Sequence, residues 1–212
     1  MLSNIRIEKK ILITGRNLFD TEVIYSKFWD SVEERYPTHI PNFSSVIKGS
    51  NLFEILHDHY ADDHTRQLVT EMLNDFQRDM KYEYFEGVQE FIGSLIQRGI
   101  PACIVTSSDQ KKMEAVYSQH PDFKQNFQGI VTGEMVTKAK PEPECFIKGA
   151  EIIGCQPEEC LIFEDSVKGL KAANAAGGKV GGLTTTNDRA VVEKWADVVI
   201  DSFVGITIDQ LL

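Results

Sequence analysis

The chain has 212 residues, with 22 Lys and Arg against 32 Asp and Glu for a formal net charge of −10, and its residues are 42% hydrophobic and 25% charged. That composition belongs to a globular domain and excludes a chain disordered throughout. The acidic surplus argues against nucleic acid or an anionic membrane as partner. No apolar run approaches the ~20 residues of a bilayer span, and residues 1–10 show no apolar core followed by small residues, so a cytoplasmic protein is expected.

In chain order, Lys10-Ile11-Leu12-Ile13-Thr14 reads as a first strand. Residues 20–84 then contain almost no β-run. Ile24, Phe28 and Val32 recur at helical spacing within residues 21–35, as do Leu68, Met72, Leu73 and Phe76 within residues 63–80. From residue 87 short apolar runs alternate with helical patterns. Strands are predicted at 100–105, 129–131, 160–163, 179–183 and 197–200, and helices at 109–119, 142–153 and 166–176. The strands are continuously apolar, as in a parallel sheet covered on both faces. The expected fold is therefore α/β, a Rossmann-like doubly wound parallel sheet core with an inserted helical cap domain. Its division is residues 1–17 and 86–212 for the core and 18–85 for the cap. Cys103, Cys145, Cys155 and Cys160 form no CxxC and sit in apolar runs, which predicts reduced core thiols.

Ligands of open α/β sheets lie beyond the carboxyl ends of the strands, so the residues following each apolar run are the ones to inspect. Thr106-Ser107-Ser108 presents hydroxyls and backbone amides at the start of a helix, which suits an anion. Lys138-Ala139-Lys140-Pro141-Glu142-Pro143 uses prolines to fix a turn that presents Lys140. Phe163-Glu164-Asp165-Ser166 offers two hard oxygen ligands of the kind Mg²⁺ prefers. Taken singly these also read as a helix cap, a solvated lysine and a capping pair. In this order, each after a β-run, they make the set that a phosphoryl site with Mg²⁺ needs.

These segments, with Leu18-Phe19-Asp20-Thr21-Glu22 leading to Trp29, Phe85-Glu86-Gly87-Val88, and Ala172 and Ala176-Gly177 after Val167-Lys168-Gly169, give the chain a resemblance to a known family. It resembles the haloacid dehalogenase superfamily, in the branch of beta-phosphoglucomutase and small phosphosugar phosphatases. The resemblance implies a hydrolase of a small phosphorylated metabolite, in which Thr106 binds the phosphoryl group and Lys140 balances its charge. It further implies that Glu164 and Asp165 hold Mg²⁺. The sequence does not reveal the oligomeric state, for which a monomer is the expectation.

The family's first motif, Asp-x-Asp-Gly, departs from this pattern. Counting back from Asp20, the nucleophile and acid/base positions fall on Ile13 and Gly15, in Ile13-Thr14-Gly15-Arg16-Asn17. Isoleucine has no lone pair with which to attack phosphorus, and glycine carries no proton. An impaired or inactive enzyme with weakened Mg²⁺ binding is expected; the alternative is a non-catalytic binding or interaction protein on the same scaffold. A frame change in the encoding sequence before Leu18 is a competing account of the missing motif, and another nucleophile is a third. Arg16, beside the vacant position, could bind phosphate instead of attacking it.

In the cap, His57, His59 and His64 with Asp58, Asp62 and Asp63 crowd one short segment in which residues i and i+2 do not share a helix face. A polar helix end is expected there in preference to a metal site. Tyr25 and Lys48-Gly49-Ser50 are candidate contacts to substrate by their place in the resemblance, and Trp29 is expected in the cap's core.

Overall fold

A computed structural model describes residues 10–48 and 50–211; the amino-terminal stretch read for a leader and Gly49 lie outside the described residues, save for Lys10. Strands β1 (Lys10–Thr14), β2 (Ala102–Val105), β3 (Gly129–Val131), β4 (Cys160–Glu164), β5 (Lys179–Leu183) and β6 (Val198–Ile200) form one sheet. Its order is β3-β2-β1-β4-β5-β6 and every neighbouring pair is parallel. This is the order of a doubly wound sheet whose direction of travel reverses between β1 and β4, so a crevice opens beyond the carboxyl ends of those strands.

Both faces are covered. Ile11, Ile13, Ile104, Leu161 and Phe163 pack with Phe91 and Leu95 of α5 (Val88–Gln97) and Met113 and Val116 of α6 (Gln110–Gln119). The alternate residues Leu12, Cys103, Val105 and Ile162 pack with Phe146 and Ala150 of α7 (Glu144–Ile152) and Leu170 and Ala173 of α8 (Val167–Ala176). Two-sided burial explains why these strands read as unbroken apolar runs.

Element boundaries differ from expectation where local chemistry intervenes. β2 starts at Ala102 because Pro101 has no N–H to give the ladder, although its carbonyl accepts from Ile11 N at 2.9 Å. α7 starts at Glu144, not at residue 142, because a residue before proline is held out of the helical region and Glu142 precedes Pro143. All four cysteines carry free thiols, and only Cys155 is less than fully buried.

Between β1 and α5 the chain forms α1 (Glu22–Arg35), α2 (Phe43–Val46), α3 (Leu52–His59) and α4 (Asp63–Asp79). Phe28, Trp29, Val32, Phe43, Leu56, Val69 and Leu73 make an apolar cluster of their own. Ile24, expected on the buried face of α1, is 37% exposed. On α4 the buried face runs through Val69, Leu73 and Gln77, one position on from the expected Leu68 and Met72. The segments joining this region to the sheet run antiparallel: Asp20 N donates to Glu83 O and Phe85 N to Leu18 O, both at 2.9 Å. Phe19 stacks on Tyr84 with ring centroids 4.7 Å apart. Asp62 accepts from Thr65 N at 2.8 Å, so one acid of the histidine-rich stretch serves as the cap of α4. A short α9 (Arg189–Val192) precedes β6, and among the described residues no helix is long and apolar enough to cross a membrane.

Candidate active site

A cavity of about 160 Å³ lies at the carboxyl ends of β1, β2 and β4, where the strand order reverses. Thr14, Gly15, Arg16, Thr106, Ser107, Ser108, Lys140, Glu164 and Ser166 line it from the sheet edge, Tyr25, Trp29 and Gln77 from α1 and α4, and Lys48 and Ser50 from the connection between α2 and α3. The structure thus brings Thr106, Ser107, Ser108, Lys140, Glu164 and Arg16 to one cavity. Trp29 is 6% exposed and also belongs to the helical cluster.

Thr106 leaves β2 with its N–H on Val131 O at 2.8 Å, and its Oγ1 accepts from Ser108 N at 3.1 Å. Asp109 then caps α6 by accepting from Lys112 N at 2.9 Å. Hydroxyls and the amino end of a helix therefore face the cavity together, an arrangement that stabilises an anion.

Glu164 ends β4 and is buried. Its Oε2 accepts from Lys140 Nζ at 2.7 Å. Its Oε1 accepts from Asp165 N at 3.0 Å and from both Ser166 N and Ser166 Oγ at 2.8 Å. Burial alone would raise this carboxyl, but the Lys140 ammonium and the turn's donors outweigh it and hold it at about 2. Burial pushes Lys140 down, and Glu164 more than restores it, so the pair stays ionised. Ser166 Oγ accepts from Gly169 N at 3.1 Å and caps α8.

Asp165 is fully buried. Its Oδ2 accepts from Thr186 Oγ1 and its backbone carbonyl from Asn187 Nδ2 at 2.8 Å, while Oδ1 has no hydrogen-bond partner among the described residues. Burial and the neighbouring Glu164 charge push it up to about 7, against the opposing pull of the Arg16 guanidinium. Thr186 and Asn187 escaped the sequence reading, yet they follow the apolar run of β5 and the same carboxyl-end rule applied there finds them.

Of the two positions at the end of β1 counted back from Asp20, Gly15 lines the cavity and Ile13 does not. Ile13 is fully buried in the core beneath the sheet, and the residues that reach the cavity are Thr14, Gly15 and Arg16. Thr14 Oγ1 is buried without a hydrogen-bond partner among the described residues. A Cβ on Gly15 would stand 2.9 Å from Thr106 Oγ1, so Thr106 occupies the space a side chain there would need. The donor set therefore does not fit Mg²⁺, which favours several carboxylate and water oxygens in an octahedron. Glu164 is engaged by Lys140 and its own turn, β1 supplies no carboxylate, and Asp165 stands as one ligand. Among the described residues no three His, Cys, Asp or Glu side chains gather as a metal site.

Residues 17–183 match the family model of the haloacid dehalogenase-like hydrolases. The chain belongs to that family. This haloacid dehalogenase-like protein is 32% identical over 130 residues to the bifunctional riboflavin kinase/FMN phosphatase of Arabidopsis thaliana, covering 61% of the chain and 34% of that protein. It is 30% identical over 128 residues to hexitol phosphatase A of Escherichia coli, covering 58% of the chain and 56% of the relative. The chain thus spans about a third and about half of the length of these relatives. The beta-phosphoglucomutase of Clostridium difficile shares the fold, with a TM-score of 0.78 over 96% of the chain and 95% of the other at 18% identity. Both of these sequence relatives are named as phosphatases, the first also as a riboflavin kinase.

Proposed function

We propose that this haloacid dehalogenase-like protein binds a small phosphorylated metabolite without transferring its phosphoryl group through an enzyme aspartate. The observation that carries the reading is the identity of the residues β1 sends to the cavity: Thr14, Gly15 and Arg16, none of them a carboxylate. The phosphoryl group sits against the Thr106 and Ser108 hydroxyls and the amides entering α6, with Lys140 and Arg16 supplying positive charge. Residues 18–85 act as the cap, and Tyr25, Lys48 and Ser50 meet the organic part of the ligand. The phosphatase names of the relatives support a phosphate ester as the ligand class.

Transfer needs an oxyanion aligned with phosphorus or a hydroxyl whose proton a base removes. Thr14 is the nucleophile type nearest that place, and its Oγ1 has no hydrogen-bonded base among the described residues. What remains is electrostatic complementarity to the bound ester, which lowers its free energy without opening a covalent path.

Calorimetric titration with inorganic phosphate and a hexose phosphate, beside a p-nitrophenyl phosphate assay with Mg²⁺, tests the reading. Saturable binding that Thr106→Ala weakens, with no turnover above background, is the expected result. Steady turnover with a phosphorylated intermediate recoverable from the chain would return the protein to the phosphatases.

A further inference from the structure

We infer that Cys155 and Cys160 are an oxidation-responsive dithiol, which a small disulfide such as oxidised glutathione converts to an intramolecular disulfide. The site is independent of the phosphate-binding reading, because it lies at the other end of the sheet. Cys155 sits in the bend after α7, and Cys160 opens β4 beside Lys10 of β1, whereas Glu164 closes β4 at the cavity. The two sulfurs stand 3.4 Å apart, in contact. A disulfide bond is about 2.05 Å long, so its closure asks for a further approach of about 1.4 Å. Cys155 belongs to no helix or strand and is joined to Cys160 through Gln156 and the turn Pro157–Glu159, so that approach falls on a bend and leaves the sheet ladder in place.

The surroundings give the two thiols different parts. Cys155 is partly exposed between the exposed residues Gly154 and Gln156, so a small peptide disulfide reaches it. Cys160 is 1% exposed, and burial holds its thiol well above the ordinary value. The Cys155 thiolate therefore attacks first, at one sulfur of the oxidant; that S–S bond breaks, and the first small thiolate leaves and takes up a proton. Cys160 Sγ, already in contact, then attacks the Cys155 sulfur of the mixed disulfide, and its proton passes to the second small thiolate as it leaves. Proximity offsets the small thiolate fraction at Cys160 in this second step. In sum two protein thiols are oxidised and one small disulfide is reduced to two thiols. Cys103 and Cys145 are buried, and Cys103 Sγ donates to Ile104 O at 3.5 Å, so neither takes part. Where a glutathione pool keeps thiols reduced the dithiol is the resting form, and the disulfide appears when that pool is oxidised.

Trypsin separates the four cysteines for the test. Cleavage after Lys148 and Lys168 releases residues 149–168, which carry both Cys155 and Cys160, while Cys103 and Cys145 fall in two other peptides. The folded full chain is incubated with oxidised glutathione, unfolded in excess N-ethylmaleimide, digested without reductant and weighed by mass spectrometry. The inference expects peptide 149–168 to carry no maleimide and to be about 2 Da lighter than its dithiol form, with dithiothreitol reversing the change and with Cys103 and Cys145 fully labelled. Maleimide on both Cys155 and Cys160, glutathione left on the peptide, or prior loss of Cys103 or Cys145 overturns it. This arm uses the unmodified protein and so survives a variant that fails to fold. Cys160→Ser removes the second attacker and should leave glutathione on Cys155; a folded Cys160→Ser chain whose Cys155 stays unmodified overturns the order of attack and with it the inference.

Discussion

Lys140 Nζ donates to Glu164 Oε2 at 2.7 Å with both side chains almost wholly removed from solvent, at 7% and 2% exposure. The pair joins the turn before α7 to the end of β4, and it fixes the two groups that flank the cavity. Removing one partner strands a buried charge, which costs about 3–5 kcal/mol. Lys140→Met should lower stability by that order in urea unfolding followed by circular dichroism. Adding Glu164→Gln should recover much of the loss, because the stranded charge is gone.

Gly169 tests the same pair from α8. A methyl group at this position collides with the Glu164 carboxylate, and the helix has no room to withdraw because Gly169 N is held by Ser166 Oγ at 3.1 Å. Gly169→Ala is expected to destabilise by about 1–3 kcal/mol. Gly93, inside α5 with nothing within 4 Å of its would-be Cβ, is the control. Gly93→Ala should stabilise by about 0.4–1 kcal/mol, since it removes freedom from the unfolded chain. Parallel denaturant curves would show the two alanines moving the midpoint in opposite directions.

Glu144 predicts an acid limb. Its carboxylate accepts from Lys138 N at 2.8 Å and from Thr137 N at 3.1 Å and Thr137 Oγ1 at 2.8 Å, and these donors, the Thr137 N–H first, hold it at about 2 against an ordinary value of 4.5. The unfolded chain therefore takes up this proton first as pH falls. Its stabilisation is complete above pH 4.5 and is lost as pH falls toward 2. Glu144→Gln should flatten the pH dependence of the melting temperature across that window and leave its slope near neutrality unchanged.

Gly15→Ala probes the contact between β1 and β2. The new methyl must displace Thr106 Oγ1, which stands 2.9 Å from its position. Phosphate affinity should fall by about threefold to tenfold, because Thr106 is turned from the anion while the sheet stays paired. The melting temperature measured beside the titration separates the two effects: a large drop in stability with unchanged affinity would place Thr106 outside the binding surface.

The amino-acid sequence by itself determined the alternation of strands and helices and the residues that stand at the strand ends. Continuous apolar runs, prolines and capping side chains act within a few residues, so β1, β3 and β5 carry the bounds read from sequence and Thr106, Lys140 and Glu164 reach the edge expected of them. Only the tertiary structure decided which side chains the edge turns inward and what each is already bound to. Strand parity is two, so one residue of difference at the end of β1 sends Ile13 to the core and Thr14 to the cavity. The engagement of Glu164 by Lys140, the grip of Thr186 and Asn187 on Asp165, and the fit of Thr106 over Gly15 join residues far apart in the chain. Such contacts follow from strand order, which local sequence does not encode, and they decide which groups at the edge are already engaged within the protein.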